Sequence, residues 1–131
     1  MLKVRDMMVK NVVTAKEKIT VEMAIEMLYK KHVGSIVVTD DEGKCTGIFT
    51  ERDAIRITAQ KTPLNTPLKK VMTRNIITIW EGATFEEARR RITTYGIRHL
   101  PVIDQKEKLV GILAIRSFLD ELFGISTLKS S

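Results

Sequence analysis

Slid against itself by 64 residues, the chain stays in register without a gap, and this self-similarity limits its possible folds more than any other feature. Met8 meets Met72, Asn11-Val12-Val13-Thr14 meets Asn75-Ile76-Ile77-Thr78, and Glu17 meets Glu81. The same offset pairs Thr20 with Thr84, Ala24 with Ala88, Val38 with Val102, Asp40 with Asp104 and Gly47-Ile48 with Gly111-Ile112. A period above about fifty residues is longer than most solenoid units, so the pattern points to a duplicated domain-like piece. A unit of about sixty residues buries only roughly 60% of its surface alone, so two copies gain by packing together.

Each copy reads as β-α-β-β-α. A short β-branched strand, Val12 to Thr14 or Ile76 to Ile79, precedes Thr20 or Thr84, residues suited to cap a helix. Helical spacing follows in Val21, Ala24, Ile25 and Leu28, and again in Phe85, Ala88, Ile92 and Tyr95, with Glu87 placed to complete a capping box. Gly96 suits a left-handed helix end, and His32 holds that place in the first copy. A strand then reads Ile36-Val37-Val38 or Leu100-Pro101-Val102-Ile103, whose proline implies a sheet edge or a strand start. Polar turns at Asp40 to Gly43 and Asp104 to Glu107 lead to strands around Gly47-Ile48-Phe49 and Gly111-Ile112-Leu113. Closing helices are expected from about Glu51 toward Ala59 and from about Arg116 toward Phe123. The fold class is therefore α/β in the broad, α+β sense, two β-α-β-β-α repeats packed as a pseudo-twofold pair. Pro63 and Pro67 bar a continuous helix between them. The expected boundaries are 1–62 for the first repeat, 63–67 for a proline-containing linker, 68–125 for the second repeat and 126–131 for a tail.

Apolar residues at 44% and charged residues at 29% suit a folded core and exclude a disordered chain. Apolar runs are too short to span a bilayer, and the opening Met1 to Asp6 does not read as a secretory signal, so a soluble cytoplasmic protein is expected. The lone Cys45 lies in an alternating apolar stretch and reads as a strand thiol. His32 and His99 have no partners at metal-ligand spacing, and there is no P-loop, dinucleotide fingerprint or nucleophile elbow. Neither catalysis, a metal site nor a catalytic cofactor is expected. Arg89-Arg90-Arg91 reads as a solvated helix face. The net charge of +6 draws anions in general and chooses no partner.

The chemically richest stretch runs from Gly47 to Asp53, where a strand becomes a helix. A helix amino terminus offers unpaired N–H groups to phosphate, Thr50 can assist, and the Asp53 carboxylate can accept both hydroxyls of a ribose. Thr50 and Asp53 are equally the two ends of a capping box. The second copy has Ala114 and Ser117 there, so that unit folds without this pair. It supplies instead Arg98 and His99, suited to phosphate, where the first copy has Gly34 and Ser35. A surface arginine and a packed histidine are the plain alternative.

Together these residues resemble the cystathionine β-synthase (CBS) domain family over nearly the whole chain, from about Val4 to Phe123. The resemblance rests on Val4-Arg5-Asp6-Met7-Met8, Leu68-Lys69-Lys70-Val71-Met72-Thr73, Arg98-His99-Leu100-Pro101-Val102-Ile103-Asp104 and both Gly-Ile strand ends. It implies an intramolecular pair, or Bateman module, that binds AMP, ADP, ATP or S-adenosylmethionine in the cleft between repeats, forms a homodimer and regulates a protein partner. Carried over residue by residue, it implies that the ligand is held by Ile48, Thr50, Arg52 and Asp53, with Ile76, Ile77 and Thr78 and Ile97, Arg98, His99, Leu100 and Pro101 completing the site. One strong site per chain is expected, since the other cleft has Ala114, Ser117, Gly34 and Ser35. Two further readings remain: a dimerisation or interaction module with empty clefts, and a nucleic-acid-binding module. The second draws on the positive charge, but 5% aromatic residues leave few stacking platforms.

Overall fold

Threonine hydroxyls start the first long helix of each repeat. A computed structural model of the chain describes residues 1–114, and in it Thr20 Oγ1 accepts from Met23 N–H at 3.2 Å while Thr84 Oγ1 accepts from Glu87 N–H at 3.2 Å. Such caps contribute about 1 kcal/mol each. They open α2 (Val21–Lys31) and α4 (Phe85–Tyr95); earlier in the chain lie α1 (Val4–Met7) and β1 (Thr14–Ala15). Only the threonine half of the expected box at α4 is formed. The next N–H, that of Phe85, is held by the Leu2 carbonyl at 3.1 Å. The helices end on left-handed residues, His32 at φ 54° and Gly96 at φ 61°, as the spacing predicts.

Between and after these helices run β2 (Ser35–Thr39), β3 (Cys45–Thr50), α3 (Glu51–Ala59), a 3-10 turn (Leu68–Lys70), β4 (Ile79–Trp80), β5 (His99–Ile103) and β6 (Leu109–Ala114). Among the described residues these form two three-stranded mixed sheets, ordered β1-β2-β3 and β4-β5-β6. In each, the first pair is parallel and the second antiparallel, with a bulge after Val38 and after Val102. The closing helix of the second repeat, with Ser117, Leu119, Leu122 and Phe123, and the tail lie outside the described residues.

The first strands start later than the β-branched runs suggest, at Thr14 and Ile79 instead of Val12 and Ile76. Pro101 is likewise not at a sheet edge: it is buried in β5, the middle strand. The reason lies on its β4 side. In the first repeat Val37 N–H donates to the Val13 carbonyl at 3.0 Å. Pro101 has no N–H to give at that place, and pairing with β4 begins only at Ile79 opposite Val102.

The chain divides into two compact units that cut across its repeats: Val13–Ile76 form one, and Met1–Val12 with the chain from Ile77 onward form the other. Each repeat's opening segment thus belongs to the unit built by the other repeat. Val4 N–H donates to the Ala83 carbonyl at 2.8 Å and Arg5 N–H to Glu81 at 2.9 Å. Their counterparts, Leu68 N–H and Lys69 N–H, donate to Ile19 at 2.8 Å and to Glu17 at 3.1 Å. Val9 and Ile112 exchange two backbone bonds, and so do Thr73 and Ile48. These segments supply Val4 to one core, beside Ile79, Leu100 and Leu113, and Leu68 to the other, beside Ile36, Phe49 and Ile57. Each is fully buried, and burying an aliphatic side chain of this kind is worth about 1.5–3 kcal/mol.

Candidate functional site

In the Val13–Ile76 unit, β3 passes directly into α3, and Thr50 is both the last residue of the strand and the helix cap. Its hydroxyl accepts from Asp53 N–H at 3.2 Å, while Asp53 Oδ2 accepts from Thr50 N–H at 2.9 Å and lies 3.2 Å from Thr50 Oγ1. The capping box left open by the sequence is therefore formed. It keeps Asp53 at 8% exposure, a buried carboxylate at a helix amino terminus, where the helix dipole favours a negative charge. Asp53 Oδ1 meets Arg56 Nη2 at a long 3.4 Å, and the same nitrogen donates to the Val71 carbonyl at 2.9 Å. A carboxylate has about four lone-pair sites, so three such contacts leave acceptor capacity on Oδ1.

The helix end itself is less open than an isolated amino terminus. Glu51 N–H donates to the Gly34 carbonyl at 3.0 Å, and Asp53 N–H is taken by Thr50. Arg52 is exposed in this first turn. Ile48 is buried in β3, where its N–H and carbonyl are both paired with Thr73 at 2.9 Å. Ile76, partly buried, closes the same unit.

The remaining expected residues belong to the other unit. Ile77 and Thr78 are partly buried on the approach to β4. Ile97, partly buried, follows the Gly96 helix end; Arg98 is exposed; and His99 opens β5. Leu100 and Pro101 are buried behind them, Leu100 fully within the unit's core.

Two arginines at these places escaped the sequence reading. Arg56 lies three residues after Asp53 on a helix, a spacing that itself signals an ion pair. Arg91 donates from Nη1 to the Thr78 carbonyl and is partly buried, unlike its exposed neighbours Arg89 and Arg90. Its membership of a three-arginine run hid that difference, although its counterpart, Met27, packs against the first repeat's core. Cys45 lies on β3, where burial, followed by the charge of Asp40, pushes its thiol up to about 11, so it stays protonated at neutral pH.

A family model for the CBS domain matches residues 4–59 and 68–124. The uncharacterized protein MJ1225 of Methanocaldococcus jannaschii is 34% identical over 116 residues, 88% of this chain and 41% of that protein, so the chain spans less than half of that relative. The solved CBS domain pair of protein MJ0100, in complex with 5'-methylthioadenosine and S-adenosyl-L-methionine, superposes with a TM-score of 0.85 at 29% identity, covering 95% of this chain and 97% of that one. The solved structure of CBSX2 in complex with AMP gives 0.85 at 25% identity, over 95% and 98% of the two chains.

Proposed function

We propose that this chain, which belongs to the CBS domain family, is a non-catalytic regulatory module that binds an adenosine-containing ligand. The observation that carries this reading is the likeness to two solved structures that hold adenosyl ligands, S-adenosyl-L-methionine with 5'-methylthioadenosine in one and AMP in the other. The local chemistry supports it: Asp53 is a buried carboxylate with an acceptor position to spare, suited to a ribose, and Thr50 stands at the adjoining helix end. Arg98, as a guanidinium, and His99, as an N–H donor, are the groups proposed for the phosphate. Binding is expected at about one strong site per chain, with AMP, ADP, ATP and S-adenosylmethionine as the candidate ligands.

A thermal-shift panel of these four tests the reading. Ligand at a hundred times its dissociation constant stabilises the folded state by about 2.7 kcal/mol, several degrees for a domain of this size. Unmoved melting curves for all four overturn it. An oligonucleotide that shifts the melt with a steep salt dependence, where mononucleotides do not, establishes the nucleic-acid reading instead.

The module is further proposed to act as a homodimer. Ile55 stands 71% exposed on α3, an apolar residue suited to a partner surface. Light scattering is expected to give twice the chain mass at tens of micromolar protein, and Ile55→Glu to lower it; a monomer mass with and without ligand overturns the dimer.

A further inference from the structure

One turn of the Val13–Ile76 unit is more cationic than its counterpart, and it runs beside Thr50 and Asp53. Lys69, Lys70 and Arg74 are all exposed there. The same places in the other unit hold Arg5, Asp6 and Lys10, so a carboxylate stands where Lys70 does, and it accepts from the Lys3 N–H at 2.9 Å. The Ile48–Thr73 bridge is antiparallel, so the chain just ahead of Thr73 runs back alongside Thr50. Arg56 Nη2 marks how close it comes, lying 2.9 Å from the Val71 carbonyl and 3.4 Å from Asp53 Oδ1. Arg74 is fixed on the same turn, its Nη2 donating to the Lys69 carbonyl at 2.8 Å, which leaves most of its five N–H donors unspent. Among the described residues the ammonium groups of Lys69 and Lys70 hold no hydrogen bond or ion pair, and no carboxylate pairs with Arg74.

We infer that the Lys69–Arg74 turn is a polyphosphate subsite, so that the ligand whose ribose Asp53 holds is a nucleoside triphosphate in preference to a monophosphate or S-adenosylmethionine. This rests on the proposed function. Each phosphate beyond the first adds negative charge and acceptor oxygens, which suit the fork of Arg74 and the point charges of Lys69 and Lys70. AMP has nothing to place among these cations. S-adenosylmethionine carries a sulfonium next to its ribose, which the same cations repel.

The test is calorimetry of AMP, ATP, S-adenosylmethionine and inorganic tripolyphosphate on the full chain, in wild type and in Lys69→Gln/Lys70→Gln/Arg74→Gln. Wild type should bind ATP at least about tenfold more tightly than AMP, and added salt should shrink that advantage. The triple variant should bind ATP and AMP about equally, with AMP held as in wild type. Lys69→Gln/Lys70→Gln, which breaks no bond of the fold, carries the test if the triple variant does not fold, and should lose part of the advantage. Tripolyphosphate, lacking the ribose, should bind far more weakly than ATP. A wild type that binds AMP or S-adenosylmethionine as tightly as ATP, or a variant that keeps the ATP advantage or loses AMP and ATP equally, overturns the inference while the proposed function stands. Tripolyphosphate binding as tightly as ATP also overturns it, since the turn would then be an anion site independent of the nucleotide. If wild type binds none of the adenosyl ligands, the proposed function itself has failed, and the inference with it.

Discussion

Met72 of the second repeat lies across Gly47 of the first, its sulfur 2.6 Å from where a Cβ on that glycine would stand, with the Thr73 carbonyl oxygen 2.9 Å from the same point. The sulfur can swing aside. The carbonyl is fixed by its bond from Ile48 N–H, so Gly47→Ala must displace backbone. At the matching Gly111 the three atoms nearest to a Cβ all belong to the Met8 side chain, its sulfur at 2.5 Å and its own Cβ at 3.1 Å. Gly47→Ala is expected to cost about 1–3 kcal/mol in urea unfolding and Gly111→Ala visibly less. Equal losses would mean that the Thr73 backbone yields as readily as a methionine.

Asp53 has two separable duties. Its removal breaks the capping box, so Asp53→Ala should lower stability by about 1 kcal/mol by denaturant titration. If it also reads the ribose, calorimetry should return an AMP affinity weaker by about ten- to a hundredfold. Arg98→Ala should weaken AMP while leaving adenosine nearly untouched. A stability loss with unchanged AMP affinity assigns Asp53 to the cap alone.

Asp40 and Asp104 organise the two polar turns in the same way. Asp40 Oδ1 accepts from the N–H groups of Glu42 and Lys44 at 2.9 and 3.0 Å, and Asp104 Oδ1 from those of Lys106 and Lys108 at 2.8 and 3.0 Å. In each, the backbone bond from the lysine at the far end of the turn leads in drawing the carboxyl below its ordinary 3.8. A depressed folded value means the stabilisation is present above the unfolded value and is lost as pH falls through the folded one. The double variant Asp40→Asn/Asp104→Asn should be less stable at neutral pH and should lose less stability than wild type as pH falls below the ordinary carboxylate value of 3.8. Denaturant titrations at fixed pH that give parallel losses would contradict this.

Cys45 titrates in the opposite sense. Burial, followed by the charge of Asp40, raises its thiol from 9.0 to about 11. The fold therefore favours the protonated form, and that contribution is lost as pH rises from the unfolded value through the folded one. Near pH 8 the reactive thiolate should be about a hundredfold scarcer than in the unfolded chain. Alkylation rates with iodoacetamide, with and without denaturant, measure this; equal rates would place the thiol in open solvent.

Much of the architecture was legible because local chemistry repeats at a fixed offset. Thr20 and Thr84 cap, His32 and Gly96 terminate, and Glu51 to Ala59 is a helix as expected. The misreadings have both distant and local causes. Pro101 is tolerated in a middle strand because its missing N–H faces the chain ahead of β4, whose pairing begins at Ile79 opposite Val102. Glu87 lacks the second half of its box at a helix start that Leu2, far away in the chain, also meets. Asp53 was identified as a chemical centre, yet Arg56 beside it was passed over although helical spacing announced it. Arg91 was concealed by its charged neighbours. The trading of opening segments between units left no trace in periodicity, since Val4 and Leu68 each read simply as an apolar residue bound for a core, with nothing to say which one.

That trade also imposes an order of assembly. The Val13–Ile76 unit is one uninterrupted stretch, complete as soon as its own residues have been made. The other is discontinuous: Met1–Val12 must remain unclaimed until strands from beyond Ile77 arrive, across an insertion of roughly sixty residues. Its contacts therefore have the longer sequence separation, which slows closure. Cutting the chain at the prolines between repeats would strip each half of its Val4- or Leu68-bearing segment, whereas a circular permutant beginning at Val13 would begin and end at the natural seam.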